Sequence, residues 1–237
     1  MSEEVVQIAG TASCLGRVLI VTAVDAERDA VLRGLQGNDR FDVVAAGVGP
    51  AAAAAGTAAK LASAGTGAGA WAYRLVISAG IAGGFPGRAP IGSLVVATDI
   101  IAADLGVETP DGFASVDELG FGSSRIAADA RLASALAAKL GGEAGLTVST
   151  GPVLTVTTAT GTAATAAEHE RRVPGAAAEA MEGFGVATAA QQAGVPALEL
   201  RAISNAVGPR DRDAWRIGDA LRALEQASTF LAEVLLG

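Results

Sequence analysis

Arg17-Val18-Leu19-Ile20-Val21-Thr22 is a short aliphatic run, and Asp25 to Leu35 follows it at helical spacing. The run predicts a buried strand and the following segment a helix. The same alternation continues outward. Phe41 to Ala46 reads as a second strand, Gly47-Val48-Gly49-Pro50 breaks it, and an Ala-rich helix runs from Pro50 to Ala64. Gly65 to Ala70 reads as a flexible loop, Arg74 to Ala79 as a third strand and Leu94 to Ile101 as a fourth. Strands alternating with helices predict an α/β fold, a three-layer αβα sandwich around a mixed, mainly parallel central sheet.

The second half is less regular. Ala103 to Gly122 is polar and reads as a long loop, of the length that tends to cover a site or an interface. Ser124 to Leu140 reads as a helix. Leu146 to Thr158 reads as one or two strands broken at Gly151-Pro152, and Thr162 to Arg172 as a helix. Ala176 to Met181 predicts a short strand, Gly183 to Ala193 a helix and Ala197 to Ser204 a strand. A last helix is expected over Asp213 to Leu236, with Ile217, Leu221, Leu224, Phe230, Leu231 and Leu235 on its buried face. Residues 1–16 read as a flexible tail and 17–237 as a single domain.

Composition narrows the function. The 237 residues are 51% hydrophobic and 18% charged, which excludes a disordered chain. The net charge of −8 argues against nucleic-acid binding. With one cysteine, Cys14, and one histidine, His169, neither a structural zinc site nor an intramolecular disulfide is possible. His169 lies in Glu168-His169-Glu170-Arg171-Arg172, which reads as a solvated helix face. The start carries Glu3 and Glu4 and no basic residue before Arg17, unlike a secretory signal, and no apolar run is long enough to span a membrane. A cytoplasmic protein is expected.

In parallel sheets, ligands sit beyond the carboxyl ends of the strands. The residues there are Val24 to Glu27, Gly47 to Gly49, Gly80 to Gly84, Met181-Glu182 and Ser204-Asn205. Gly47-Val48-Gly49-Pro50-Ala51-Ala52 fits a dinucleotide-binding glycine pattern, but no acid occurs between Asp42 and Asp99 to hold a ribose. It therefore reads as a tight turn. Gly80-Ile81-Ala82-Gly83-Gly84 lacks the Gly-Lys ending of a Walker loop. It reads either as a left-handed strand-to-loop turn or as backbone exposed to a ligand.

Thr22-Ala23-Val24-Asp25-Ala26-Glu27, Ser78 to Gly84, and Met181-Glu182-Gly183 followed by Arg201-Ala202-Ile203-Ser204-Asn205 occur in one order along the chain. In sequence and spacing they resemble the nucleoside phosphorylase and methylthioadenosine nucleosidase family, which cleaves purine N-ribosidic bonds, over about residues 17–236. The resemblance implies a purine nucleoside substrate and no cofactor or metal. It implies that Glu27 activates the attacking water and that Glu182 accepts hydrogen bonds from the ribose hydroxyls. Met181 would pack on the sugar, and Gly80, Ile81, Ala82 and Ser204 would line the substrate. Asn205 would stabilise the departing base. It also implies a homo-oligomer, a dimer or higher, to which the 103–122 segment could contribute a lid or an interface.

Asn205 bears on which base leaves. Many nucleosidases of the family carry Asp there, suited to adenine. An Asn offers its NH₂ to O6 and its carbonyl to a protonated N7, which favours hypoxanthine or guanine. The family often has an acid just before the Met-Glu pair, and here that position is Ala180. Arg88 and Arg74 do not make a phosphate cradle, so hydrolysis is expected rather than phosphorolysis of inosine or guanosine or an adenine-releasing reaction. An acidic group on the substrate would need a cation, for which Arg88, Arg125 and Arg210 are available.

Overall fold

The computed structural model describes residues 16–64, 73–143 and 145–236. The expected tail, Gly16 apart, and the expected loop over 65–70 lie outside them. The chain begins with β1 (Arg17–Thr22), α1 (Asp25–Leu35), β2 (Phe41–Ala45) and α2 (Pro50–Ala64). It continues through β3 (Tyr73–Gly84), β4 (Leu94–Ala102), β5 (Gly106–Thr109), β6 (Gly112–Ser115), β7 (Arg125–Ala127) and α3 (Ala130–Gly141). It ends with β8 (Val148–Thr155), α4 (Ala163–Arg172), β9 (Ala178–Ala180), α5 (Gly183–Gln192), β10 (Ala197–Ala206), α6 (Ile217–Ser228) and α7 (Leu231–Leu236).

The sheet is mixed and mainly parallel, as the alternation predicts. Its strands follow the order β10-β4-β8-β9-β3-β1-β2, with β7 paired to β4. One further pairing, β10 with β3, closes five strands on themselves. β3 is long enough to take part twice. Its first half pairs in parallel with β1, from Val18 against Leu75 to Val21 against Ser78. Its last residues leave β1 and take β9 instead, Gly83 opposite Glu179 and Gly84 opposite Ala178. β10 runs parallel along the other side of β3 throughout. Alternation along the sequence does not reveal this closure, because it depends on which strand edges meet.

Side chains of β1 alternate between two helical layers, as the two-residue period of a strand requires. Val18 and Ile20 join Val31, Leu75, Ile77, Leu136 and Leu224, under α1, α3, α6 and α7. Leu19 and Val21 join Val76, Val95, Ala53 and Val186, under α2 and α5. The second layer is thin because its helices carry mostly Ala and Gly. A Cβ at Gly185 of α5 would run into the Pro50 carbonyl of α2. A third cluster of Phe85, Ile101, Leu154, Val156, Ala166 and Val173 packs beneath α4.

Several boundaries differ from the sequence reading. The segment 103–122 contains the β5–β6 hairpin, Gly106 opposite Ser115. Helix α3 starts at Ala130 rather than Ser124, because Asp129 caps it by accepting from the Leu132 amide at 2.9 Å. The residues before that cap pair as β7 with β4. Gly151-Pro152 does not break β8. The carboxyl-terminal helix is two helices, α6 ending at Ser228 and α7 starting at Leu231, and Ile217 at its start is 42% exposed.

Candidate active site

A cavity of about 420 Å³ opens at the carboxyl ends of β1, β3 and β10. Glu27, Ile81, Ala82, Met181, Glu182, Ser204 and Asn205 all line it. Seven of the eight residues singled out in the sequence therefore meet on one surface. Gly80 is not in that lining. It sits directly beneath, where a Cβ would come within 2.6 Å of Glu27 Oε1 and 2.9 Å of Arg201 Nη1. Gly80, Gly83 and Gly84 are not in the left-handed region, so the segment is strand, and of its two sequence readings the left-handed turn is excluded. Glycine is required at Gly80 for close approach, not for backbone conformation.

Glu27 belongs to the first turn of α1 and is 4% exposed. Its Oε2 accepts from the amides of Ala23, at 2.9 Å, and Val24, at 3.2 Å. Its Oε1 accepts from the Ile81 amide at 2.8 Å. Three backbone donors thus hold the carboxylate as an acceptor facing the cavity, with one lone pair left, on Oε1.

Glu182, 7% exposed, begins α5. Its Oε1 accepts from the Gly49 amide and its Oε2 lies opposite Arg201 Nη1, both at 3.3 Å. Gly49 has φ of +91° and Gly47 of +103°. The glycine pattern that fits a dinucleotide loop is therefore a left-handed turn that aims an amide at Glu182. Beneath the cavity Arg201, 1% exposed, also donates to Glu199 Oε1 at 2.8 Å and to Ser78 Oγ at 2.9 Å. Burial pushes the Glu199 carboxyl up against the opposing pull of the Arg201 charge. Glu199 Oε2 has no hydrogen-bond partner.

On the far wall, Ser204 Oγ lies 2.8 Å from Asn205 Oδ1 and 3.2 Å from the Ala82 carbonyl. Asn205 Nδ2 donates to the Ala206 carbonyl at 3.0 Å, leaving one amide hydrogen for a ligand. Arg210 and Trp215 also line the cavity, the guanidinium 5.3 Å from the centre of the indole ring. Of the three arginines available for an acidic group, only Arg210 reaches the cavity. Arg125 pairs with Asp99 at 3.0 Å.

His169 corrects an expectation. It is 5% exposed rather than solvated. Ala166, His169 and Val173 recur on the inner side of α4, while Glu168 and Arg171 pair outside it. That spacing was present in the sequence but masked by the surrounding charges. His169 Nδ1 lies 3.2 Å from Glu179 Oε2. Glu179 also lines the cavity, so an acid is present there although Ala180 occupies the expected position. Sequence reasoning missed Glu179, Thr160, Arg201 and Glu199.

The chain matches the phosphorylase superfamily over residues 6–237 and belongs to it. Within the superfamily it belongs with the futalosine hydrolases. It is 54% identical over 233 residues to futalosine hydrolase of Streptomyces coelicolor, covering 92% of this chain and 96% of that one. It is 50% identical to futalosine hydrolase of Acidothermus cellulolyticus, covering 88% and 87%. The fold is shared with futalosine hydrolase of Helicobacter pylori strain 26695, with a TM-score of 0.73 at 19% identity over 93% of this chain and 97% of that one. It is also shared with the 5'-methylthioadenosine/S-adenosylhomocysteine nucleosidase of Neisseria meningitidis, solved with methylthio-immucillin-A. There the TM-score is 0.73 at 21% identity over 94% of this chain and 99% of that one.

Proposed function

We propose that this chain hydrolyses the N-ribosidic bond of futalosine, releasing hypoxanthine and dehypoxanthine futalosine on the futalosine route to menaquinone. The observation that carries this reading is the near full-length identity to futalosine hydrolases. The cavity supports it by bringing Glu27, Glu182 and Asn205 together.

Cleavage of an N-riboside passes through an oxocarbenium-like state at C1′. Glu182 accepts hydrogen bonds from the ribose 2′- and 3′-hydroxyls, and these strengthen as the ring gains positive charge. Met181 packs on the sugar, and Ile81, Ala82 and Ser204 line it. Glu27 takes a proton from the attacking water as the water oxygen bonds to C1′. The C1′–N9 bond breaks, its electron pair goes to the purine, and Asn205 hydrogen-bonds the departing base. Gly80 acts from below, as the gap across which Glu27 and Arg201 approach one another.

Hydrolysis is favoured over phosphorolysis by charge. Among the described residues the cavity wall carries one cation, Arg210, while Arg201 beneath it is taken up by Glu182 and Glu199. Arg210 and Trp215 together suit the benzoate of futalosine, a flat ring ending in an anion. Residues 17–237 are read as one catalytic domain, working in the cytoplasm. Phe121, 82% exposed, with Leu105 and Val107, supports a homo-oligomer joined through the 103–122 segment. Among the described residues no helix is long and apolar enough to cross a membrane.

The deciding experiment offers futalosine, inosine and methylthioadenosine side by side, with and without phosphate, and follows free base by chromatography. Hypoxanthine released from futalosine without phosphate is the expected result. Turnover of inosine only when phosphate is added would make the protein a phosphorylase.

A further inference from the structure

Besides Glu27 and Glu182, the cavity is lined by two carboxylates that the hydrolytic steps leave without a task, the exposed Asp211 and the buried Glu179. Glu179 is 7% exposed, and such an acid is costly to bury unless it is held or used. It is held firmly. Oε1 accepts from the Thr160 amide at 2.8 Å. Oε2 accepts from the Thr160 hydroxyl at 2.5 Å and lies 3.2 Å from His169 Nδ1. With its hydrogen on Nδ1, the imidazole donates to the same oxygen. The surrounding groups donate to Glu179, so it remains an acceptor, with a lone pair on Oε1 still open.

Its position relative to Asn205 gives the carboxylate a use. Gly83 of β3 is the register partner of Glu179 on one side and of Asn205 on the other. Adjacent strands lie about 4.8 Å apart, so the two backbones stand about 10 Å apart with a glycine between them. Register partners project to the same face of a sheet, and both side chains line the one cavity. A Cβ at Gly83 would meet Val207 Cγ2 at 2.9 Å and Asn205 Nδ2 at 3.3 Å. Glycine at this position lets Val207, which also lines the cavity, and Asn205 pack closely against β3.

A 6-oxopurine has an edge that fits this pair. Its O6 and N7 suit the Asn205 amide. Its N1 carries a hydrogen, a donor that needs an acceptor. Adenine has a bare lone pair at N1, which would face the carboxylate and leave both groups unpaired. We propose that Glu179, positioned by Thr160 and His169, accepts the N1–H of the base and selects 6-oxopurine over 6-aminopurine nucleosides. This inference rests on the nucleosidase reading above and adds a contact to it. Specificity would then come from two walls, Asn205 reading one side of the base and Glu179 the other. A site built around a substrate N–H discriminates strongly against an analogue that lacks it.

The test compares kcat/KM for a hypoxanthine nucleoside and an adenine nucleoside carrying the same sugar and tail, in the full chain and in Glu179→Gln. The glutamine amide can donate to adenine N1, so the preference for hypoxanthine is expected to fall by about a hundredfold or more. An unchanged ratio in a folded variant overturns the proposal. A second measurement needs neither a variant nor activity, namely calorimetric binding of free hypoxanthine, 1-methylhypoxanthine and adenine to the unmodified protein. Hypoxanthine is expected to bind at least about tenfold more tightly than the other two, the loss of one hydrogen bond. Equal binding of hypoxanthine and 1-methylhypoxanthine overturns the N1 contact even if futalosine is hydrolysed. Selective binding of hypoxanthine by a protein that leaves futalosine intact would support the contact and refute the hydrolase.

Discussion

The Glu27 carboxylate and the Ile81 amide are joined by a 2.8 Å hydrogen bond that ties the first turn of α1 to the middle of β3. The group assigned to activate water is therefore fixed from two directions, by its own helix turn and by a strand 54 residues further on. A base fixed in this way loses no rotamer freedom when substrate arrives, which is how a site holds reacting groups in productive geometry.

Glu27→Gln should lower kcat by about a hundredfold or more, because the amide cannot take the proton. The amide NH₂ must also face one of the three backbone donors, so a loss of stability of about 1–3 kcal/mol should accompany it. Steady-state kinetics and a melting curve check both. Near-normal turnover would remove Glu27 from the chemistry.

Gly80→Ala tests the gap beneath the cavity. The added methyl meets Glu27 Oε1 and Arg201 Nη1, neither of which can move without losing a buried partner. Overpacking of this kind costs about 1–3 kcal/mol. Activity should fall further than stability alone explains, since the displaced atom belongs to the base. A folded variant with unchanged kcat would contradict this.

Arg210→Ala should weaken binding of futalosine while sparing chemistry. Loss of a charge-assisted contact of about 1.5–3 kcal/mol corresponds to a rise in KM of roughly tenfold or more. kcat should stay within about twofold, because Arg210 is assigned to the tail of the substrate and not to the bond that breaks. A change confined to kcat would place the benzoate elsewhere.

Stability should fall as pH rises above the usual carboxylate range, through Glu199. Its folded pKa is raised, first by burial and against the charge of Arg201, so between the unfolded and folded values the native state binds more protons than the unfolded chain. The contribution is complete below the unfolded pKa of about 4.5 and is lost as pH climbs through the folded value. For one group the slope is at most about 1.4 kcal/mol per pH unit. Urea unfolding followed upward from about pH 4.5 should show it, and Glu199→Gln should flatten it. An identical slope in that variant would assign the effect to another group.

Much of the site was legible because its residues sit in short segments of distinctive order. Glu27, Met181-Glu182 and Ser204-Asn205 each follow or end a strand, and strand ends of one sheet meet. Gly80 could be read as a turn or as backbone exposed to a ligand, since strain and close approach leave the same residue in a sequence, and the strand conformation and the nearness of Glu27 and Arg201 rule out the turn. Glu179 and His169 escaped notice because their pairing joins β9 to α4 through a burial that local charge pattern contradicts. Arg201 was quoted only as part of a motif. Its partners Glu182, Glu199 and Ser78 come from different strands and a helix start, so only the fold identifies what it neutralises.

The closure of β3, β10, β4, β8 and β9 bears on where the molecule opens first. In an open sheet the outermost strand can detach alone, exposing its amides to solvent. Among the described strands β2, bonded only to β1, and β7, bonded only to β4, hold such outer positions, whereas Gly83 and Gly84 have a bonded strand on each side. Amide hydrogen exchange should therefore proceed from Phe41–Ala45 and Arg125–Ala127 inward. The Gly83–Gly84 amides should exchange only when the whole domain unfolds, so the part of the chain nearest the substrate would also be the last to exchange.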